Sequence, residues 1–326
     1  MELQLKVVLL AFSLSIVLAL LIIPILRKLK VGQIERTDGP ESHLKKQGTP
    51  TMGGIIMALT VLIVTVFLFI VFKGKPEFET VKKLIPLVFV TVGFGVVGFV
   101  DDFIKLVMKN TKGLKPLYKM VGLLIVAVCY TVYIVKVLNL GTQTYIPIIK
   151  QYINLPIWIY IPFAIFVLLG TTNAVNLTDG VDGLSTSVTT IIITGLIVIS
   201  VFFGVQEVAL SGCILVGACL GFLLFNLYPA KVIMGDTGSL LLGGAIAGMA
   251  LYLKMPLILI VIALIPIIET LSVMIQVMYF KKTGNRIFKM APIHHHFELS
   301  GWNENKVVSV FSVITLILAI LSIYIV

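Results

Sequence analysis

Apolar residues in this chain come in long unbroken runs separated by short polar segments, rather than alternating or recurring every three to four positions. Ten runs approach or reach the roughly 17–25 residues that a helix needs to cross a bilayer. They cover about residues 5–26, 53–72, 83–104, 119–137, 155–174, 184–203, 207–227, 237–253, 256–279 and 307–326. The pattern predicts an all-α integral membrane protein of about ten transmembrane helices, a single polytopic membrane domain over residues 1–326. Pro256 and Pro266 fall in the ninth run, so that helix should kink, because proline removes a backbone donor and crowds the preceding turn. Between the fourth and fifth runs, residues 141–154 alternate weakly around Tyr145, Ile148 and Tyr152, which predicts a short β-ribbon outside the membrane.

Composition strengthens the membrane reading. Of 326 residues, 59% are hydrophobic and only 12% charged, with mean hydropathy +1.10. A chain this apolar cannot hide its side chains from water, so the bilayer must be its solvent. The first run ends in Arg27, Lys28 and Lys30 without a small-residue cleavage pattern, and is read as a retained helix. The net charge of +10 fits membrane topology better than nucleic acid, which is not an expected partner. Of the 25 lysines and arginines, 17 fall in or beside the loops after odd-numbered runs. A basic excess marks the cytoplasm. Both termini are therefore expected on the extracytoplasmic side. Cys129, Cys213 and Cys219 all lie in apolar runs without metal-ligand spacing and read as small core residues.

The candidate chemistry lies on the side assigned to the cytoplasm. Six aspartates, Asp38, Asp101, Asp102, Asp179, Asp182 and Asp236, lie at or in those loops, five of them at helix ends. Carboxylates at that depth are costly and usually functional. Asp101 and Asp102 end the third run, and Lys105 follows Asp101 by four, on the same helical face. Adjacent carboxylates repel, so the pair suits a metal–phosphate unit or proton transfer from a phosphate oxygen. Residues 173–183 combine Asn173, Asn176, Thr178, Asp179 and Asp182 with two Asp-Gly steps, and lead into a helix whose N-terminus attracts anions. Asp236, in Met234-Gly-Asp-Thr-Gly-Ser239, likewise stands at a helix start. Hard oxygen donors beside lysines suit magnesium; zinc would call for convergent Cys or His. His294, His295 and His296 are consecutive, so their side chains diverge; phosphate contacts, proton transfer or loop architecture suit them better than a shared metal. His43 and Lys46 open a second polar block that runs to Gly54.

Taken together, the blocks from His43 to Gly54, Asp101-Asp102 with Lys105, Thr111 to Lys119, Asn173 to Gly183, Asn226 to Ser239 and Pro292 to Trp302 resemble the polyprenyl-phosphate N-acetylhexosamine-1-phosphate transferases. They follow in order nearly end to end. The histidine block with Gly301-Trp302 points to the muramoyl-pentapeptide branch. The resemblance implies a bacterial inner-membrane enzyme of peptidoglycan synthesis with a cytoplasmic active site. Such an enzyme transfers phospho-N-acetylmuramoyl-pentapeptide from its UDP carrier to undecaprenyl phosphate, forming lipid I and UMP, with Mg2+ as cofactor. A homodimer is compatible with it. By the same resemblance, Asp236 binds magnesium, Asp101 and Asp102 activate or position the lipid phosphate, and Lys105 and Lys119 neutralise charge. Asn173, Asn176, Asp179 and His294 match positions needed for activity. Lys46, Asp182 and Asn226 hold the nucleoside, with Thr51, Gln276 and His295 nearby, and the kinked ninth helix forms the polyprenyl groove. Ile233 stands where the family often has an aromatic residue, so it offers uracil apolar contact without stacking.

Three other readings compete. A sister enzyme using UDP-N-acetylglucosamine would share the aspartates. A transporter would place ionisable groups near the bilayer midplane, where Glu269 is the one clear candidate. An intramembrane aspartyl protease would need its dyad inside helices and no magnesium. For the transfer itself, direct attack by the lipid phosphate is favoured over a covalent aspartyl-phosphate, because a metal between two bound anions already supplies the electrostatics.

Overall fold

The computed structural model describes residues 2–29, 48–106, 108 and 113–326. Helix α1 is Glu2–Lys28, α2 Gly54–Phe72, the short α3 Phe78–Lys82 and α4 Ile85–Leu106. Helix α5, Pro116–Val132, opens with proline in its first turn, where the missing N–H has no intrahelical partner to lose. Its end widens into a π-turn, Tyr133–Val137. Strands β1, Gln143–Ile146, and β2, Gln151–Asn154, pair antiparallel with Tyr145 opposite Tyr152, which is the expected ribbon. Next come α6 Ile157–Thr178, α7 Leu184–Phe202, α8 Gln206–Asn226 and α9 Gly235–Tyr252.

The ninth run is broken. A 3-10 turn, Pro256–Ile258, leads into the single-turn α10, Leu259–Ile262, and the chain leaves helical geometry at Ala263 before α11, Leu264–Thr283. Pro266 accounts for the position of the break, since it cannot donate to the carbonyl four residues earlier, at Ile262. The short α12, Ile293–Glu298, carries the three histidines. In the final helix, α13 Glu304–Ile325, Asn303 is the N-cap and its side chain accepts the Lys306 N–H at 2.8 Å.

Among the described residues, nine helical segments are long and apolar enough to cross a membrane. The eighth predicted run, α9, falls outside that set, and its packing explains why. Every residue from Thr237 to Tyr252 is buried against protein, chiefly α4 and α6, so α9 needs small residues for close approach more than it needs oily ones for lipid. Tyr130 of α5 donates its hydroxyl to the Gly248 carbonyl at 2.7 Å, deep in this core. The outer helices present Leu20, Leu21, Ile70, Phe166 and Ile320 outward, as a lipid-facing surface requires.

Candidate active site

The site is assembled where α4 and α6 end and where α5 and α9 begin. Asp236, in the first turn of α9, is its centre. Its Oδ2 accepts hydrogen bonds from Lys105 Nζ and Lys119 Nζ, both at 2.9 Å, and its Oδ1 accepts one from Asn176 Nδ2 at 2.8 Å. Asn176 also donates to Ser239 Oγ at 2.8 Å, which ties the end of α6 to the start of α9. Asp101 shares the same two cations: its Oδ2 lies 2.6 Å from Lys105 Nζ and 3.6 Å from Lys119 Nζ. Its Oδ1 accepts the Leu114 N–H at 2.7 Å, fixing the entry to α5. Two carboxylates and two ammonium groups thus meet at one end of the bundle, with Lys105 the most exposed of the four.

Asp102 does something different from its neighbour. Its carboxylate accepts the backbone N–H of Asp236 at 3.2 Å, that of Thr237 at 2.9 Å and the Thr237 hydroxyl at 2.6 Å. No local side chain caps α9, so a residue 134 positions earlier satisfies its orphan donors. Asp102→Ala should therefore lower the thermal unfolding midpoint of the purified protein by the equivalent of about 1–3 kcal/mol. Asp102→Asn, which keeps one acceptor, should lower it less. An unchanged midpoint in the alanine variant would exclude the cap.

The expected nucleotide-side residues surround this centre unevenly. Thr51 is brought in because residues 50–54 pair with the segment before α9: Ile233 donates to Pro50, Gly53 to Ile233 and Gly54 to Met234, at 2.8, 2.9 and 2.9 Å. Asp182 and Asn226 are buried and engaged in architecture. Asp182 Oδ2 accepts the Ala230 N–H at 2.9 Å, and Asn226 accepts from Thr186 while donating to the Val232 carbonyl. Gln276 braces the following loop through the backbone of Ile287 and Phe288. Lys46 lies outside the described residues.

The three histidines part company on α12. His294 is fully buried and lies against Gly180, where an added Cβ would collide with its ring. His295 Nδ1 is 2.7 Å from Glu298 Oε2, and His296 Nδ1 accepts the Lys289 N–H at 3.1 Å. The two Asp-Gly steps separate as well. Gly180 provides room for a ring, whereas Gly183 has φ +76°, a conformation that favours glycine. Asp179 closes α6 beside them, half-buried.

Asn173, one turn before Asn176 on the same helix face, lies at the polar end of an apolar groove of about 520 Å³ between α6 and the broken ninth segment. The groove exists because the break at Ala263 leaves Pro256, Ile260 and Pro266 facing Phe163 and Phe166 across a gap. Among the described residues, no three His, Cys, Asp or Glu side chains form a metal cage. Magnesium does not require one, since it usually takes one or two carboxylates and completes its shell with phosphates and water. Asp236, with Asp101 beside it, fits that demand. Sequence reasoning assigned no role to Ser239, which takes a hydrogen bond from Asn176, or to Glu304. Glu304 is buried at the start of α13, and its Oε2 accepts the Asp182 N–H at 3.3 Å.

Residues 84–254 match the model of glycosyl transferase family 4, and residues 46–56 match phospho-N-acetylmuramoyl-pentapeptide-transferase signature 1. Curated relatives named phospho-N-acetylmuramoyl-pentapeptide-transferase align along nearly the whole chain. One from Acetivibrio thermocellus is 47% identical, covering 98% of this chain and 94% of its own. One from Clostridium perfringens strain 13 is 51% identical, covering 95% and 94%. One from Caldicellulosiruptor bescii is 44% identical, covering 97% and 95%.

Proposed function

The chain belongs to the phospho-N-acetylmuramoyl-pentapeptide-transferase family, and on that premise we propose how its residues divide the work. It is a multi-pass bacterial membrane protein that transfers phospho-N-acetylmuramoyl-pentapeptide from UDP to undecaprenyl phosphate in peptidoglycan synthesis, releasing UMP and forming lipid I. The observation that carries the site assignment is the convergence of Asp101, Lys105, Lys119 and Asn176 on Asp236, close to the polar end of the apolar groove.

Two anions must meet here, so the chemistry is chiefly one of positioning and charge compensation. An oxygen of the lipid phosphate attacks the β-phosphorus of the sugar nucleotide. As that P–O bond forms, the bond from the β-phosphorus to the bridging oxygen breaks, and UMP departs with the electron pair. Lys105 and Lys119 offset the repulsion between the reactants. Asp101, gripped by Lys105 and Leu114, places or deprotonates the lipid phosphate, while Asp102 keeps the start of α9 in register. Magnesium bound at Asp236 would supply further charge neutralisation on the pyrophosphate.

The groove suits the undecaprenyl chain, which would run along Phe163, Pro256 and Leu271 and end at Asn173. The nucleoside is assigned to Thr51, Ile233, Asp182, Asn226, Gln276 and His295, with Lys46 added on the family resemblance alone. His294 and Asp179 would serve the phosphosugar between the two ends. The basic loops at this end of the bundle support an inner-membrane orientation with the site on the cytoplasmic face.

UMP release provides the test. It should require UDP-N-acetylmuramoyl-pentapeptide, undecaprenyl phosphate and magnesium together. Equal use of UDP-N-acetylglucosamine would favour the sister enzyme. Release without lipid phosphate would favour a covalent aspartyl-phosphate, and full turnover in a chelator would remove the metal.

A further inference from the structure

Glu269 lies in α11 with no exposed surface, and its only ion-pair neighbour among the described residues is His294, also without exposed surface. The separation from Glu269 Oε2 to His294 Nδ1 is 3.0 Å, although the ring is not aligned for a linear hydrogen bond. The same oxygen accepts the His294 backbone N–H at 3.4 Å. A carboxylate removed from water is costly unless a donor faces it; the His294 backbone N–H is that donor, and ring Nδ1 is the ionisable group nearest to it. On the other edge of the ring, Nε2 has no hydrogen-bond partner among the described residues and is pressed against Gly180 of the Asp179–Gly183 turn. The ring is therefore held between an acid from the broken ninth segment and a glycine at the foot of α6.

We infer that Glu269 is a positioning residue: it keeps the proton of His294 on Nδ1, so that Nε2 is the nitrogen presented to the Asp179–Gly183 turn. A histidine's tautomer is set by what its nitrogens face, and here Nδ1 faces the Glu269 carboxylate at 3.0 Å, an acceptor that favours a proton on that nitrogen. The break at Ala263 gives this pairing a second consequence. It sets the direction of α11, and with it the distance at which Glu269 meets the ring, so groove and histidine are built by the same irregularity. The assignment of a role in turnover rests on the transferase reading above; the assignment of the tautomer does not.

The test combines spectroscopy with kinetics on the full-length protein in detergent or nanodiscs. In protein labelled with 15N-histidine, the His294 signals are identified by their loss in His294→Gln. The wild-type ring should carry its proton on Nδ1, and Glu269→Gln, whose amide can present N–H groups to that nitrogen, should shift it. Glu269→Gln should also lower kcat by about 10²-fold or more, as misplaced histidine tautomers do in other enzymes. KM for the sugar nucleotide should stay within about threefold, and Glu269→Asp should recover part of kcat. An unprotonated Nδ1 in the wild type would overturn the inference without any variant. So would an unchanged ring in Glu269→Gln, or a loss expressed only in KM. Because the spectra need no substrate, failure of the transferase reading would leave the tautomer result standing.

Discussion

Asp236→Ala should stop UMP release, lowering turnover by roughly 10³-fold or more, and leave the protein folded. Among the described residues its carboxylate is the one acceptor shared by Lys105, Lys119 and Asn176, so its removal disperses the charge pattern that two phosphate reactants need. The fold should survive for a specific reason. The Asp102 cap bonds to the backbone N–H of Asp236 and to Thr237, and none of those contacts involves the side chain removed. The lysines left behind are partly exposed, at 36% and 19%, so water screens their repulsion. Thermal unfolding should therefore stay within a few degrees of wild type in the absence of magnesium. Any stabilisation that magnesium confers on the wild type should vanish in the variant. Near-normal turnover, or an unchanged magnesium response, would sink the placement of the metal at Asp236.

The membrane plan was readable because the bilayer imposes a demand that composition alone must meet. Continuous apolar runs predicted the ten long helices among the described residues, with most ends a few residues off. The kink in the ninth run was also readable, but which of its two prolines would place it was not. Pro266 deprives the Ile262 carbonyl of a donor and the chain leaves helical geometry at Ala263, whereas Pro256 opens a 3-10 turn.

At the site, residue type and block order located the aspartates, but long-range partnership was hidden. Asp101 and Asp102 look equivalent in sequence. One faces the lysines and the other caps a helix, because adjacent residues on a helix point about 100° apart. The same spacing separates His294 from His295. Asp182, Asn226 and Gln276 carried polar groups suited to a nucleoside, yet the bonds they make shape loops, a use that depends on chain reversal no local pattern encodes.

Gly98 is the residue whose importance the sequence conceals most completely, and Gly98→Ala should be among the most damaging small substitutions in the chain. It lies inside α4, four residues before Asp102, where alanine would ordinarily favour the helix by about 1 kcal/mol. An added Cβ, however, would run into the Asp236 carbonyl and the Thr237 amide, which are backbone atoms with no rotamer to move. Helices α4 and α9 would have to part at the point where Asp101 and Asp236 share their lysines. Overpacking of this kind costs about 1–3 kcal/mol, enough to reverse the propensity gain, and a shift of about 1 Å can cost 10²-fold in rate. The expected result is a lower unfolding midpoint together with at least a tenfold fall in kcat. Gly170→Ala on α6, where an added Cβ meets nothing within 4 Å, should leave the midpoint unchanged or raise it. If Gly98→Ala instead raised the midpoint and kept full turnover, helix propensity would outweigh the close approach, and the geometry of the aspartate–lysine cluster could not depend on the contact between α4 and α9.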